Sequence, residues 1–348
     1  MTKTILAFAA VAAVAVSGAA LAADKLLING AGATFPFPIY SKWFSEYNKK
    51  NPDIQINYQS IGSGGGIKQI TEKTVDFGAS DAPLSDDEMT KAGNGLQHIP
   101  TVMGAVVVVY NVPGLKALKL TGDTLANIFL GKITKWNDPA IAESNKGEAL
   151  PDLGIAVAHR SDGSGTTSVF TDYLAKASAD WKAGPGQGKS VNWPIGLGGK
   201  GNEGVTGVVK QTEGGIGYVE LVYANQNKLP YADLKNKDGK WVKPSIESVS
   251  AAAAKVEIPE DYRVSITNAD GAEAYPISSF TYLLVYKDSA DVAKGEALLK
   301  FIWWAEHDGQ KLTAALDYAP LPKALTKRVE ATLKKLTVQG KAVLAASK

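Results

Sequence analysis

At three places along the chain, a short apolar segment typical of a β-strand runs through small and hydroxyl residues into a segment typical of a helix. These turns contain Thr34 and Phe35, then Ser63 and Gly64, and then residues 161–167. Alternation of strands and helices favours a parallel sheet covered by helices. In such an open α/β sheet, the turns at the carboxyl ends of the strands lie along one edge, where ligands bind. The pattern therefore predicts an α/β fold whose three turns converge on one site.

The turn at residues 161–167 has the chemistry of an anion site. The helix that follows leaves its first backbone N–H groups without intrahelical acceptors, and its dipole favours negative charge there. Ser164 and Thr166 add hydroxyl groups, and Arg160 adds a guanidinium that can bind two oxygens of an oxyanion. The same residues also suit an ordinary helix N-cap made by Ser164 or Thr166. The sequence pattern leaves both interpretations open.

The spacing of the glycines excludes several nucleotide-binding and hydrolase motifs. Ser164 is not flanked by the glycines of a nucleophile elbow, and no lysine follows Gly165 as a Walker A loop requires. The run that starts at Gly62 lacks the third glycine of a dinucleotide fingerprint, because Ile67 occupies that position. The glycine-rich residues 196–204 also fail the Walker A pattern, and we expect a flexible loop there.

The first 22 residues predict a signal peptide and therefore export. Lys3 precedes the apolar residues 5–16, and Ala20 and Ala22 provide the small residues of a cleavage site. A membrane anchor is the alternative, but alanine supplies little of the hydrophobic drive that insertion requires. The chain has no cysteine, which excludes disulfides and a lipid-anchored cysteine. These features predict a soluble periplasmic protein.

Charge and histidine content argue against two further classes of function. The chain has 37 Lys and Arg, of which Lys3 lies in the signal segment, against 35 Asp and Glu. This balance provides no electrostatic case for nucleic-acid binding. The three histidines are far apart in the sequence, so we expect no metal site. The length exceeds what one hydrophobic core usually supports, and two domains are expected.

Two long strand patterns are candidates for segments that pass between the domains. They cover residues 102–110 and 277–286 and are rich in β-branched and aromatic residues. A third strand pattern at residues 75–80 carries Asp81 at its carboxyl end. Asp81 therefore belongs to the edge of the sheet at which we expect the ligand.

Local signals predict where several elements begin and end. Ser85 and Glu88 have the spacing of a capping box, which predicts a helix after residue 85. We expect the first strand to give way to a turn at Asn29 and the second helix to open near Ile67. Residues 228–256 are polar and rich in turn signals.

Six segments together carry a resemblance to a known family. They are residues 30–36 (GAGATFP), 62–66 (GSGGG), 76–81 (DFGASD), 129–133 (FLGKI), 160–166 (RSDGSGT) and 193–201 (WPIGLGGKG). These segments resemble the signature segments of the periplasmic phosphate-binding proteins, which are the substrate-binding components of ABC-type phosphate uptake systems. The similarity extends in one order over nearly the whole mature chain, and it is therefore specific.

The resemblance implies a two-lobed periplasmic binding protein fold of type II, in which the chain crosses twice between the lobes. Residues 1–22 would be the signal peptide. Residues 23–105 and 280–348 would form lobe 1, and residues 106–279 would form lobe 2.

The resemblance also implies a buried, dehydrated phosphate that is bound without a metal ion or cofactor. The implied ligand residues are Thr34, Phe35 (through its backbone), Ser63, Asp81, Arg160, Ser164, Gly165 and Thr166. Asp162 is implied as the partner of Arg160. His159, Ser161 and Thr167 depart from the commonest residues beside the motif, and none of them is an implied ligand.

These implications predict a transport receptor and not an enzyme. It would bind inorganic phosphate in the periplasm with high affinity and deliver it to the permease subunits of an inner-membrane ABC transporter, as a monomer and without nucleic acid. A secreted phosphatase or phosphoryl transferase would need a nucleophile with an adjacent base, or carboxylates for a metal, and the sequence contains no such constellation. A periplasmic receptor for another tetrahedral oxyanion such as sulfate is the alternative, and only Asp81 separates the two.

Overall fold

The computed structural model describes residues 25–344, so the predicted signal peptide lies outside the described residues. The first part of the chain alternates strands with helices: β1 (Leu26–Gly32), α1 (Phe37–Lys50), β2 (Ile54–Ser60), α2 (Ser63–Thr71), β3 (Phe77–Ser80) and α3 (Asp86–Lys91). The middle part contains β4 (Leu96–Asn111), β5 (Lys119–Leu120), α4 (Gly122–Phe129), α5 (Pro139–Ser144), β6 (Ala156–Arg160), α6 (Gly165–Ala177), α7 (Ala179–Ala183), β7 (Leu197–Gly199), α8 (Gly201–Gln211), β8 (Gly215–Glu220), α9 (Leu221–Asn227), β9 (Asp233–Lys235), β10 (Trp241–Val242) and α10 (Ile246–Ala253). The last part contains β11 (Ser278–Tyr286), β12 (Asp288–Ser289), α11 (Val292–His307), two short 3₁₀ turns (Gly309–Leu312 and Ala314–Leu316), α12 (Lys323–Leu333), β13 (Thr337–Val338) and β14 (Lys341–Ala342).

Eight of the strands form one sheet in the order β2-β1-β3-β11-β4-β8-β6-β7. β1 pairs in parallel with β2 and β3, and β6 pairs in parallel with β7 and β8. β11 is antiparallel to both β3 and β4, and β4 is antiparallel to β8. The expectation of a purely parallel sheet is therefore wrong at its centre. β11 enters from a distant part of the chain, so no βαβ connection constrains its direction.

The two central strands join the two halves of the molecule. Residues 96–105 of β4 pair with β11, and residues 106–111 of the same strand pair with β8. β4 is thus longer than the predicted segment 102–110, while β11 lies where residues 277–286 predicted a long strand. Each end of the sheet is covered by its own helices, which leaves two α/β lobes connected through β4 and β11.

A β-bulge interrupts the pairing of these two strands. Thr281 pairs with Val102 and Tyr282 pairs with Pro100, so Thr101 is an extra residue in β4. Proline has no N–H to donate to the ladder, which makes Pro100 compatible with an interrupted register. A bulge of this kind bends the strand and changes the direction of neighbouring side chains.

Aromatic side chains hold the helices against the sheet in both halves. In the first half, the rings of Phe44 in α1 and Phe301 in α11 lie 5.4 Å apart between their centroids. In the second half, Phe170 in α6 contacts Phe129 at 4.9 Å and stacks on Tyr218 of β8 at 4.2 Å. Such pairs add to the large apolar area that each ring buries. No helix within residues 25–344 is long and apolar enough to cross a membrane.

Several local predictions can be compared with these bounds. The capping box is confirmed, because the side chains of Ser85 and Glu88 each accept a backbone N–H of the other residue. The turn expected at Asn29 is wrong, since β1 continues to Gly32 through its pairing with β2. The second helix opens at Ser63 and includes the glycines before Ile67.

The helical glycines of α2 have a packing reason. A Cβ on Gly66 would lie 2.5 Å from the Cα of Gly32 and 2.6 Å from the carbonyl oxygen of Ala31. Helix α2 therefore lies so close to β1 that only glycine fits.

The prediction of a flexible loop at residues 196–204 is wrong. Gly198 and Gly199 pair with β6, and α8 begins at Gly201. A Cβ on Gly199 would lie 2.5 Å from the backbone of Gly204. Gly199 and Gly204 are thus explained by a close approach of α8 to β7, whereas Gly196 and Gly201 have positive φ angles of 112° and 72° that favour glycine. The turn-rich residues 228–256 contain β9, β10 and α10.

Candidate functional site

The segment that connects β6 to α6 has the capped start that the sequence allowed. The hydroxyl oxygen of Ser164 accepts the N–H of Thr167 at 2.9 Å, so Ser164 is the N-cap of α6. The N–H groups of Gly165 and Thr166 lie in the first turn and have no intrahelical acceptor. The cap uses the oxygen of Ser164 as an acceptor and leaves its hydrogen available. The cap and the anion site are therefore compatible.

Arg160 lies at the end of β6 with only 1% of its side chain exposed. Its Nε donates to Asp162 Oδ1 at 2.8 Å, its Nη2 donates to Asp162 Oδ2 at 2.5 Å, and its Nη1 donates to Thr166 Oγ1 at 3.4 Å. The N–H of Gly201 donates a further hydrogen bond to Asp162 Oδ1 at 3.0 Å. Burial alone would raise the pKa of Asp162, but the hydrogen bonds and charge of Arg160 outweigh it and lower that pKa.

Asp81 follows β3 and is 2% exposed. Its Oδ1 accepts the hydroxyl of Thr281 at 2.9 Å, and its backbone N–H donates to Ser63 Oγ at 3.2 Å. Its Oδ2 has no hydrogen-bond partner among residues 25–344. Burial raises the pKa of Asp81 to about 7, although Thr281 and Arg160 act in the opposite direction. A buried carboxylate oxygen without a donor is an acceptor whose partner must come from elsewhere.

Thr34 and Phe35 lie in the turn between β1 and α1. Thr34 Oγ1 accepts the backbone N–H of Asn202 at 3.1 Å and its Nδ2 at 2.7 Å. The carbonyl of Phe35 accepts the hydroxyl of Tyr318 at 2.5 Å. The ring of Phe35 packs so closely on Gly104 that a Cβ there would lie 2.6 Å from it. The turn is thus held rigidly by groups that are distant in sequence.

The two halves of the molecule meet at these turns. The N–H of Gly64 donates to the carbonyl of Gly163 at 2.8 Å. A Cβ on Gly165 would lie 2.4 Å from Ser63 Oγ and 2.6 Å from Asp81 Oδ2. The amino end of α6 therefore contacts the side chains that follow β2 and β3, and the structure is closed around the site.

The structure brings the sequence-predicted site residues into one cluster. It joins the following residues through direct contacts or one shared neighbour: Thr34, Phe35, Ser63, Asp81, Arg160, Asp162, Ser164, Gly165 and Thr166. Apart from the two carboxylates, its polar side chains are hydroxyls and a guanidinium, which can all donate. Asp162 has its oxygens occupied by Arg160 and Gly201. Asp81 is therefore the side chain that offers an acceptor to the site.

Two further residues are hydrogen-bonded to this cluster and were not identified from the sequence. Asn202 Nδ2 donates to both Thr34 Oγ1 and Thr166 Oγ1, at 2.7 and 3.2 Å, and thereby bridges the two halves. Thr281 donates to Asp81 from β11. Asn202 lies in the residues that we expected to form a loop, and Thr281 lies in an ordinary apolar strand pattern. Neither position carries a local signal of function.

The arrangement is suited to binding an oxyanion that still carries a proton. Hydroxyl groups, the guanidinium and the N–H groups of α6 can donate to its oxygens, and Asp81 can accept its hydrogen. Within the described part of the chain, no group of three or more His, Asp or Glu side chains could hold a metal ion. His159, the histidine nearest to Arg160 in sequence, is hydrogen-bonded to the carbonyl of Arg160.

Comparison with known proteins agrees with this fold. A family model described as PBP superfamily domain matches residues 15–306. The phosphate-binding protein PstS of Xylella fastidiosa is 51% identical over 308 residues, which cover 87% of this chain and 84% of the relative. The phosphate-binding protein PstS of Pasteurella multocida is 48% identical over 319 residues, which cover 90% of this chain and 92% of the relative.

A solved structure shows the same architecture. The crystal structure of a phosphate binding protein from Stenotrophomonas maltophilia superimposes with a TM-score of 0.69 at 21% identity, over 88% of this chain and 94% of that one. At this level of identity the similarity concerns the fold alone. The predicted two-lobed type II fold, with two chain crossings between the lobes, is confirmed.

Proposed function

Because this chain belongs to the PstS phosphate-binding proteins of the PBP superfamily, we propose that it binds inorganic phosphate with high affinity and delivers it to an ABC transporter. The proposal is a receptor and not an enzyme. It includes a periplasmic location after removal of the signal peptide, monomeric action, and the permease subunits of an inner-membrane transporter as partners. The single observation that carries it is the unpartnered Oδ2 of Asp81, which finds no donor among residues 25–344 in a site otherwise made of donors.

The proposed ligand residues divide by the kind of hydrogen bond that they can make. Side chains that donate to phosphate oxygens are those of Thr34, Ser63, Arg160, Ser164 and Thr166. Backbone N–H groups donate at Phe35 and Gly165. Asp81 accepts the hydrogen of the anion, and Asp162 neutralises Arg160 without touching the ligand. Support for this division comes from Asp81 Oδ2, which has no partner among residues 25–344, and from the occupied oxygens of Asp162.

This division explains why phosphate fits the site better than sulfate. An ionised carboxylate only accepts hydrogen bonds, and phosphate near neutral pH retains a proton that it can donate. Sulfate has no proton, so it would place an unpaired acceptor against Asp81 and add like-charge repulsion in a dry site. Sites that leave a buried polar group unpaired can discriminate by about 10⁴–10⁵-fold. No relative or structure found in the comparisons supports the sulfate alternative.

We further propose that phosphate stabilises the closed arrangement of two lobes. The proposed lobes are residues 23–105 with 280–348, and residues 106–279. The donors from Arg160 to Thr166 would lie on the second lobe, and Thr34, Ser63 and Asp81 on the first. A ligand that contacts both lobes binds the closed state in preference to the open one and shifts the population towards it.

The test is a titration of the purified mature protein after exhaustive removal of phosphate. Calorimetry and tryptophan fluorescence should show tight binding of phosphate and arsenate and no saturable binding of sulfate. Small-angle scattering should show a smaller radius of gyration when phosphate is added. Comparable affinity for sulfate and phosphate would overturn the assignment, and an unchanged radius of gyration would overturn the closure.

A further inference from the structure

The bulge in the strands that cross between the lobes is tied to the site by buried hydrogen bonds. The hydroxyl of Thr101, the extra residue of the bulge, donates to the carbonyl of Thr281 at 3.2 Å. The same hydroxyl is hydrogen-bonded to the hydroxyl of Tyr40 at 2.8 Å. Thr101 and Thr281 are fully buried, and Tyr40 is 1% exposed. The carbonyl of Thr281 is therefore held by Thr101, which Tyr40 holds in turn, at the point where the register shifts.

The bulge lies next to Asp81 because β11 also pairs with β3. Tyr282 pairs with Ser80, the residue before Asp81. Thr281, the residue before Tyr282, donates its hydroxyl hydrogen to Asp81 Oδ1 at 2.9 Å. A hydroxyl has one hydrogen to donate. Thr281 therefore occupies Oδ1, and Oδ2 is left on the side of Ser63 and Gly165.

We propose that Thr281 is a positioning residue that holds Asp81 with Oδ2 directed at the bound anion, and that discrimination against unprotonated oxyanions depends on it. The inference rests on the proposed function, since it concerns how the same site distinguishes protonated from unprotonated oxyanions. It differs from a general requirement for Asp81, because Thr281 itself does not touch the ligand.

Two physical effects would follow from loss of this hydrogen bond. First, the carboxyl group could rotate, because its other oxygen has no partner within residues 25–344 to oppose rotation. Second, burial raises the pKa of Asp81, and the hydrogen bond from Thr281 is the largest of the influences that lower this pKa. Without that bond more of Asp81 would be protonated near neutral pH. A protonated carboxyl group can donate a hydrogen bond, so it would bind an oxygen of sulfate.

The other titratable groups that face Asp81 are unchanged when Thr281 alone is replaced. They are Arg160, Glu220, Tyr40, Tyr58 and Tyr318. They lie at the end of β6, at the end of β8, in α1, in β2 and in the segment before α12. A change in anion preference can therefore be attributed to the missing hydroxyl.

The experiment compares three variants with the wild-type protein. Thr281→Val removes the hydroxyl at nearly constant volume, and Thr281→Ser retains it. Ser278→Ala is the matched control, because Ser278 lies in the same strand and donates its fully buried hydroxyl to the carbonyl of Tyr275 at 2.8 Å, away from Asp81. Affinities for inorganic phosphate and for sulfate are measured by calorimetry between pH 6 and pH 9.

We expect Thr281→Val to lower the ratio of phosphate to sulfate affinity by about 10-fold to 100-fold, the size expected for a hydrogen bond to a charged group. The loss should be greatest near pH 7, where Asp81 is partly ionised in the wild-type protein and less ionised in the variant, and it should diminish at higher pH as Asp81 ionises in both. A merely structural defect would not show this dependence on pH. Thr281→Ser and Ser278→Ala should keep the wild-type ratio.

A wild-type ratio in folded Thr281→Val at every pH would overturn the positioning role while leaving the proposed function intact. Failure of the wild-type protein to bind phosphate would instead overturn the proposed function. If Thr281→Val does not fold, as judged by thermal unfolding, Thr281→Cys keeps a side chain of similar size with a weaker donor. Its ratio should lie between those of the valine variant and the wild-type protein, and an unchanged ratio counts against the proposal.

Discussion

Asp81, which is buried, and Asp162, which is partly buried, both lie near the charge of Arg160, yet their surroundings give them opposite properties. Asp162 accepts hydrogen bonds from Arg160 and Gly201, which together hold its pKa low despite burial. Asp81 accepts one side-chain hydrogen bond, from Thr281, and burial raises its pKa to about 7. The depth of a carboxylate and the number of donors around it together decide whether it is held as a charge or can exchange a proton.

The two carboxylates would therefore have different roles, neutralisation of Arg160 for Asp162 and recognition of the ligand for Asp81. Asp162 balances the charge of Arg160, so that the site need not attract every anion equally. In the proposed site, Asp81 would keep its unpartnered oxygen for the ligand and would distinguish anions by their protons. Affinity and selectivity would therefore depend on different carboxylates, and the two can be perturbed one at a time.

The largest expected effect is a loss of selectivity in Asp81→Asn. An amide can donate as well as accept, so sulfate would no longer face an unpaired acceptor. We expect most of the roughly 10⁴–10⁵-fold discrimination to disappear. Asp162→Asn is the matched control, because its affinities for phosphate and sulfate should change together and keep their ratio. Competition calorimetry measures both, and equal ratios in the two variants would contradict the assignment.

The next effect concerns stability and the pair of Arg160 and Asp162. Arg160→Ala should leave Asp162 buried without its main partner, and breaking a buried pair in this way costs about 3–5 kcal/mol. Because 13% of the Asp162 side chain is exposed, we expect the lower end of that range. The double variant Arg160→Ala with Asp162→Ala should recover part of the loss. Urea unfolding without phosphate measures this, and a double variant less stable than Arg160→Ala would disprove the argument.

A smaller effect is expected in the dependence of stability on pH. Asp81 binds its proton more tightly in the folded than in the unfolded protein, so its contribution falls as pH rises from about 4 through about 7. Asp162 behaves in the opposite way, and its contribution is lost as pH falls below about 4. One proton changes the free energy of unfolding by at most about 1.4 kcal/mol per pH unit.

Unfolding of the ligand-free protein between pH 4 and pH 8 tests these signs. The free energy of unfolding of Asp81→Asn should decline less steeply with pH than that of the wild-type protein over this range. The curve of Asp162→Asn should run parallel to that of the wild-type protein. Burial also raises the pKa of Glu220 and Glu306, so part of the decline should remain in Asp81→Asn. Identical curves for Asp81→Asn and the wild-type protein would show that Asp81 does not bind a proton in this range.

The smallest effect should come from an ion pair that joins the two proposed lobes. Lys189 Nζ lies 2.8 Å from Glu88 Oε2, and the carbonyl of Lys189 accepts the N–H of Ser164. Both side chains are about one-quarter exposed, and such pairs contribute about 0.2–1 kcal/mol. Lys189→Gln should weaken phosphate binding by at most about fivefold.

This weakening should not change selectivity, because the pair favours closure and does not touch the anion. The difference from the wild-type protein should also shrink in high salt. A changed ratio of phosphate to sulfate affinity in Lys189→Gln would show that closure and recognition are not separable in this way.

Most of the elements around the site could be predicted from short stretches of sequence. The capping box at Ser85, the strand that ends at Arg160 and the helix capped by Ser164 each depend on residues within one or two turns. The resemblance to a known family predicts that Thr34, Ser63 and Asp81 share a site with Arg160. The structure brings these residues into one cluster, and their role as ligands remains a prediction.

The parts that could not be predicted depend on contacts between distant residues. The antiparallel centre of the sheet requires β11 to insert between β3 and β4, and Gly199 and Gly204 are explained only by the approach of α8 to β7. Asn202 bonds to a residue 168 positions away, and Thr281 bonds to one 200 positions away. An asparagine in a glycine-rich stretch and a threonine in a strand are too common to indicate such contacts.

The sequence by itself determined the alternation of strands and helices, the caps, and the presence of donors and of the carboxylate of Asp81 at the turns. These are local properties, set by hydrophobic period and by side chains that bond to their own neighbouring backbone. The tertiary structure alone decided which oxygen of Asp81 is free of partners within residues 25–344 and which residue occupies the other oxygen. Both depend on where β11 and α6 pack, because a hydrogen bond forms only where packing brings donor and acceptor within about 3 Å.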